Sequence, residues 1–186
     1  MRIVNNWTYA EATELLGRLP KNIDVLADLG AGKRDNAVSS QVSKIVCNHL
    51  ITVEKFEPYL EILLHCKHTA KTHDVVHADI TMKSNYKLPK CDVVLMLDVI
   101  EHLIKPDALE LLDYLKTITA HIIIFTPVGD TIGYTNNDSG NPLQAHLSAW
   151  TPEEFEALGF EVTVYEKFHA HLGNIGAMWC TWKRNV

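Results

Sequence analysis

The sequence predicts an α/β domain, a mostly parallel sheet with helices on both faces, and three observations lead there. Short apolar runs alternate with amphipathic stretches, as strands alternate with crossover helices. One run, residues 91–97, is apolar almost throughout, as in a central parallel strand buried on both faces. Gly30 and Gly32 directly follow the first apolar run, where a strand would hand over to a helix. The 186 residues are 47% hydrophobic and 22% charged, enough for one buried core without a disulfide or metal staple.

Element by element, a helix is expected over 8–19, ended by Pro20, within an N-terminal helical segment 1–22. A strand over 23–29 runs into Gly30-Ala31-Gly32, and a helix over 35–47 and a strand over 50–53 follow. Pro58 suits the first turn of a helix over 58–69. Strands at 73–77 and 91–97 come next, then a helix opened by Pro106 and running to 119, and a strand at 122–125. Residues 126–150 are rich in Gly, Asn, Asp and Pro and have no periodicity. That exceeds the roughly 12–15 residues a compact domain leaves unstructured without a functional reason, so 127–150 reads as a substrate-side loop. Thr151-Pro152-Glu153-Glu154 combines an N-cap, a proline at the first helical position and acids at the positive end of the dipole. That helix stops at Gly159. Residues 160–168 and 175–182 read as an antiparallel pair joined through Gly173-Asn174. With no repeat or linker, residues 1–186 form a single domain.

Lys plus Arg number 17 against 23 for Asp plus Glu, a net charge of −6. This argues against a general nucleic-acid or membrane-surface binder and leaves only a nucleic-acid substrate held at one local spot. Cys47, Cys66, Cys91 and Cys180 form no CxxC, and three lie in apolar stretches, as buried free thiols of a cytoplasmic protein would. The first residues, MRIVNNWTYAEATE, lack the apolar core of a signal peptide. The most apolar runs fall short of the roughly 18 residues a membrane span requires.

Function is read from acids at strand ends. In open α/β sheets, ligands bind at the carboxyl ends of strands, where strand order reverses. Asp28 lies two residues before Gly30, where a carboxylate would repel a pyrophosphate and attract an ammonium group. Arg34 and Asp35 stand where a dinucleotide turn would want a third glycine, although Asp35 also suits a helix cap. The ligand suggested is a nucleoside with a cationic tail. Glu54 ends the second strand and can accept both hydroxyls of a ribose. Asp79 follows the third strand and can accept from an exocyclic amine such as adenine N6. Asp98 ends the fourth.

In this order, DLGAG, the acidic end of ITVEKFEP, HADI, and DVVLMLDVIEHL with its following proline resemble the class I S-adenosylmethionine-dependent methyltransferases of the small-molecule type. The likeness runs from about residue 23 to 183. It implies a Rossmann-like, seven-stranded, mostly parallel sheet with the last strand antiparallel, and S-adenosylmethionine as cofactor. By that likeness Asp28, Gly30 and Gly32 line the methionine part, Glu54 the ribose, Asp79 and Ile80 the adenine, and Asp98 lies near the methionine end. Arg34 departs from the family, which often has a third glycine there.

His102 follows the fourth strand and suits proton removal near neutral pH; alternatively it orients the segment beside Glu101. His146, in a segment resembling one before the terminal hairpin of some methyltransferases of this class, would close over substrate with Trp150 as an aromatic wall. Trp150 and Leu147 could equally pack the loop down. Trp7 and Tyr9 are candidates to cover the cofactor, or packing for the first helix. His65, Cys66 and His68, and separately His169 and His171, do not supply three convergent ligands, so no metal is expected on spacing grounds.

The acceptor expected is a small molecule, a sugar or a lipid-linked precursor. Asp98-Val99-Ile100-Glu101 replaces the polar-Pro-Pro-aromatic segment of amino-methylating nucleic-acid enzymes, and no strand-end cysteine pair supports C5 methylation of a pyrimidine. Recognition would come from the N-terminal segment, the loop or another subunit, and an oligomer is left open. Two other readings stand beside methyl transfer. One is a non-catalytic cofactor- or partner-binding member of the same fold. The other is a nicotinamide-dependent oxidoreductase, against which the missing third glycine and Asp28 both count.

Overall fold

A computed structural model describes residues 1–135, 140–169 and 175–184. Its strands are β1 (Arg2–Val4), β2 (Val25–Leu29), β3 (His49–Glu54), β4 (Thr72–His77), β5 (Cys91–Leu97), β6 (Thr119–Pro127), β7 (Glu161–His169) and β8 (Ile175–Lys183). They form one sheet in the order β1-β7-β8-β6-β5-β2-β3-β4. All neighbours are parallel except β8, which lies antiparallel between β6 and β7. The chain steps outward from β2 through β3 to β4, then returns to place β5 on the other side of β2. Strand order therefore reverses between β2 and β5, which opens a crevice at their carboxyl ends.

Side chains on a strand alternate between faces, and here both faces are buried. Ala27, Ile51, Val94, Met96, Ile122 and Ile124 face one core with Leu111, Leu112 and Leu115 of α3 (Lys105–Ile118) and Phe155 of α4 (Pro152–Ala157). Leu26, Leu50, Val93, Leu95, Ile123 and Phe125 face the other, against Ala12 of α1 (Tyr9–Thr13), Leu15, Val38 and Val42. The helix expected over 58–69 is α2 (Glu57–His65), with its proline in the first turn. Among the described residues no helix is long and apolar enough to cross a membrane.

The sheet has eight strands where seven were expected. The seven-strand core is present, and Arg2–Val4, inside the expected helical segment 1–22, adds a parallel edge to β7. Three residues are too few to show a period, but Ile3 and Val4 are β-branched and β7 offers an open edge. The expected first helix shrinks to α1, closed at its start by a Thr8/Glu11 capping box, with a separate 3-10 turn at Leu16–Arg18. Residues 35–47 hold only a 3-10 turn, Ser39–Lys44. Ser39, Ser40 and Ser43, with β-branched Val38, Val42 and Ile45, have poor helix propensity, and burying the apolar residues does not require a full helix. The terminal antiparallel pair is present; the expected Gly173-Asn174 junction lies outside the described residues.

Candidate active site at the carboxyl ends of β2 to β5

Past β2 the backbone enters the left-handed region at Gly30 (φ 66°) and Gly32 (φ 59°). A Cβ on Gly30 would lie 2.8 Å from Cγ1 of Val99, so this glycine is required by crowding as well as by conformation. At Gly32 a Cβ would meet nothing within 4 Å; the space above it is open. The turn is pinned to β3: Gly30 N donates to Val53 O (2.8 Å), and Gly32 N donates to Oε2 of Glu54 (2.9 Å). Oε1 of Glu54 accepts from Phe56 N (2.7 Å), which fixes the carboxylate at the strand end.

Beyond β4, Oδ1 of Asp79 accepts from Thr81 N (2.9 Å) and Oγ1 (2.7 Å), while Oδ2 pairs with Lys55 Nζ (2.8 Å). Burial pushes the Asp79 carboxyl up, but Lys55 and Thr81 outweigh it and hold the group below its ordinary value. An open cleft of about 350 Å³ runs along this rim, lined by Gly30, Gly32, Glu54, Asp79, Ile80 and Asp98. Tyr59, Val99, Leu103 and Leu143 give it apolar walls. Six of the seven residues assigned to the cofactor by resemblance thus share one cavity.

Asp28 is the seventh, and it lies beneath the turn and outside the cleft wall. Arg34 Nη2 (2.8 Å) and Nε (3.1 Å) both donate to its Oδ2, and Nη2 also donates to Thr52 Oγ1 (2.6 Å). Burial pushes the Asp28 carboxyl up, opposed by the Arg34 charge and its hydrogen bonds. Arg34 itself has φ 56°, so it keeps a glycine-like backbone where a third glycine is commonly found in the resembling family.

A second cleft of about 370 Å³ shares Gly30, Gly32, Tyr59, Asp98, His102 and Gln144 with the first. It continues past Arg34, Asn36 and Ser39 to Glu101 and His146. Asp98, at φ 55°, sits where the two meet, and its Oδ2 accepts from Asn36 Nδ2 (3.3 Å). Burial, then the neighbouring Glu101, pushes the Asp98 carboxyl well above the usual range. Burial likewise raises Glu101, whose Oε2 accepts from Thr126 Oγ1 (2.9 Å).

The loop after β6 returns His146 to this junction. Leu147 N (2.7 Å) and Ser148 N (3.0 Å) donate to Glu101 O, and His102 Nδ1 lies 3.1 Å from Ala145 O. A carbonyl only accepts, so Nδ1 of His102 carries the hydrogen and Nε2 presents a lone pair. Nδ1 of His146 bonds Thr131 Oγ1 (2.7 Å), and the two imidazoles stand 5.0 Å apart, edge to face. Burial lowers both: His102 falls below its ordinary value, and His146, further disfavoured by His102, falls to about 4. One ligand atom each from Glu101, His102 and His146 lies within 4.8 Å of the others. Two neutral imidazoles and a carboxylate, each oriented by a partner, can hold a divalent cation; His102 alone can also take a proton.

The expectation of no metal did not consider this group of three. That expectation rested on local spacing, and the structure joins an adjacent pair, Glu101-His102, to a residue of a distant loop. His65, by contrast, is the last residue of α2, and Cys66 and His68 fall beyond it; His171 lies outside the described residues. Trp150 is no wall of the site: it is buried, donates to Ser148 Oγ (2.8 Å) and packs on Phe155. Trp7 and Tyr9 pack against Phe168 and line neither cleft.

No protein-family model matches the sequence, and no curated protein matches it. Solved structures share the fold. The methyltransferase domain of bacterial CtHen1 is similar with a TM-score of 0.56 at 18% identity, over 88% of this chain and 91% of that one. The N-terminal domain of EvdMO1, in the presence of SAH and D-fucose, gives 0.62 at 15% identity, over 95% and 80%. DhpI in its SAM-HEP complex gives 0.61 at 13%, over 92% and 84%. The chain has the class I S-adenosylmethionine-dependent methyltransferase fold.

Proposed function

We propose that this chain transfers the methyl group of S-adenosylmethionine to a hydroxyl oxygen of a small, sugar-like acceptor, with a divalent cation held by Glu101, His102 and His146. The observation that carries the reading is the junction of the two clefts at Asp98–His102, where the rim of strand-end acids meets that triad.

The first cleft fits the cofactor. Glu54 offers acceptor oxygens for ribose hydroxyls, Asp79 an acceptor for an exocyclic amine, and Ile80, Val99 and Leu103 apolar surface for a purine. The open space over Gly32 leaves room for the amino-acid tail to approach the backbone. Bound there, the sulfonium supplies a methyl group already activated for in-line displacement. What is left to the protein is alignment of the acceptor oxygen and removal of its proton.

The second cleft fits the acceptor. Asn36, Ser39, Gln144 and Tyr134 give it polar walls suited to several hydroxyls. A divalent cation there supplies Lewis acidity that makes a hydroxyl easier to deprotonate. Ala145 and Thr131 hold His102 and His146 in the orientation such a ligand needs. Asp98 lines both clefts, so its side chain lies where the acceptor's proton would be released. The net charge of −6 supports a small acceptor over a nucleic acid. A sugar oxygen also accords with the presence of D-fucose in the EvdMO1 structure.

Calorimetric titration with S-adenosylmethionine, S-adenosylhomocysteine and NAD, each with and without Mn²⁺, tests the reading. Micromolar binding of both adenosyl ligands and none of NAD is expected, together with Mn²⁺-dependent transfer of labelled methyl to a sugar in a panel of free sugars, nucleosides and short RNAs. Absence of adenosyl binding would remove the cofactor assignment. Binding without transfer to any acceptor would favour a non-catalytic cofactor-binding protein, and transfer only to RNA would replace the small acceptor.

A further inference from the structure

Arg34 combines a strained backbone with an incomplete set of partners. It is a non-glycine residue at φ 56°, and it is buried. Its guanidinium has five N–H groups. The Nε hydrogen goes to Asp28, and Nη2 serves Asp28 and Thr52. Nη1 is shielded from solvent and has no partner among the described residues. Buried donors on charged groups are rarely left unmatched, because desolvation is then uncompensated. Arg34 belongs to the wall of the second cleft, and it follows Gly32 by two residues in the turn over which the cofactor's tail would pass.

We infer that Nη1 of Arg34 receives the carboxylate of the cofactor's amino-acid tail. The inference rests on the cofactor reading above and reassigns the charges around it. Asp28 becomes the counter-ion that holds Arg34 in place, no longer the partner of the tail's ammonium. The shape of the side chain suits this: a guanidinium serves Asp28 and Thr52 on one edge while keeping a nitrogen for a carboxylate on the other. A lysine, with one nitrogen on a flexible stem, cannot do both.

The test compares S-adenosylhomocysteine with its decarboxylated analogue, in which hydrogen replaces the carboxyl group, on the wild-type chain and on Arg34→Lys. Wild type should bind the analogue roughly 10- to 100-fold more weakly, the range of a charge-assisted hydrogen bond. Arg34→Lys should discriminate by less than about 3-fold, the coupling read from the double cycle. Undiminished discrimination in the variant overturns the inference and leaves the cofactor reading standing. Failure of wild type to bind S-adenosylhomocysteine removes both. Should Arg34→Lys not fold, ¹⁵N-arginine spectra of wild type decide instead. The Arg34 guanidinium signal should move with S-adenosylhomocysteine and stay put with the analogue; equal movement with both, or none with either, overturns the inference.

Discussion

Arg34 and Asp28 form an ion pair beneath the glycine turn, 2.8 Å from Nη2 to Oδ2, with both side chains only 2% exposed. Removing one partner of such a pair leaves an unpaired buried charge, which costs about 3–5 kcal/mol. Asp28→Ala should therefore lower stability by about that much in chemical denaturation, with any loss of cofactor affinity secondary to it. A stable variant that has lost only affinity would instead put Asp28 in direct contact with the ligand.

The triad gives a second prediction. His146→Ala should weaken Mn²⁺ binding at least about 10-fold, and Thr131→Val, which removes the hydroxyl on its Nδ1, by about 10- to 100-fold, while Thr131→Ser restores it. Affinity for S-adenosylhomocysteine without metal should be nearly unchanged, since His146 does not line the first cleft. Equal Mn²⁺ affinity in wild type and His146→Ala, measured by paramagnetic resonance of free Mn²⁺, would dismiss the cation site.

How much of this was legible in the sequence follows from the range of each interaction. Glu54, Asp79 and Asp98 were legible because Glu54 and Asp98 each close a local apolar run and Asp79 follows the next expected strand, and a strand end fixes the rim on which its acid sits. The partnership of Asp28 with Arg34 was not, since it requires Arg34 to adopt glycine's backbone and turn inward. His146 was a candidate, but its convergence with Glu101 and His102 depends on Leu147 and Ser148 bonding the Glu101 carbonyl across the loop. The failed helix over 35–47 shows the opposite limit: Val38, Val42, Ile45 and Cys47 are buried, as a helix there would also bury apolar residues, while its serines and β-branched residues decided the backbone.

His73 provides a pH test. Burial chiefly, then Arg34 and His68, lower it to about 4, with Asp74 opposing and His49 adding slightly. Its Nε2 lies 2.8 Å from Thr52 Oγ1, the hydroxyl that also serves Arg34. Because the folded value lies below the ordinary histidine value of 6.5, the unfolded chain binds more protons in this window. Stability should fall as pH drops from 6.5 towards 4, and His146 contributes with the same sign. In His73→Gln the slope of melting temperature against pH should become shallower over that range. A slope unchanged by the substitution would show that His73 titrates alike in both states.

The two glycines of the turn should separate stability from binding. An alanine at Gly30 places its Cβ 2.8 Å from Val99 Cγ1 and 2.9 Å from Cγ2, in a conformation that side chains rarely adopt. Val99 is buried against the core of the sheet and cannot step aside cheaply, so Gly30→Ala should lower stability and affinity together. Gly32→Ala pays only for its left-handed backbone, about 1 kcal/mol, because its Cβ meets nothing within 4 Å. That methyl group would instead enter the space where the cofactor's tail is proposed to lie. Gly32→Ala should thus melt close to wild type yet bind S-adenosylhomocysteine at least about 10-fold more weakly, as expected when a methyl group blocks a close backbone approach. Wild-type affinity in Gly32→Ala would mean that no ligand passes over this turn, and the tail would have to be placed elsewhere along the rim.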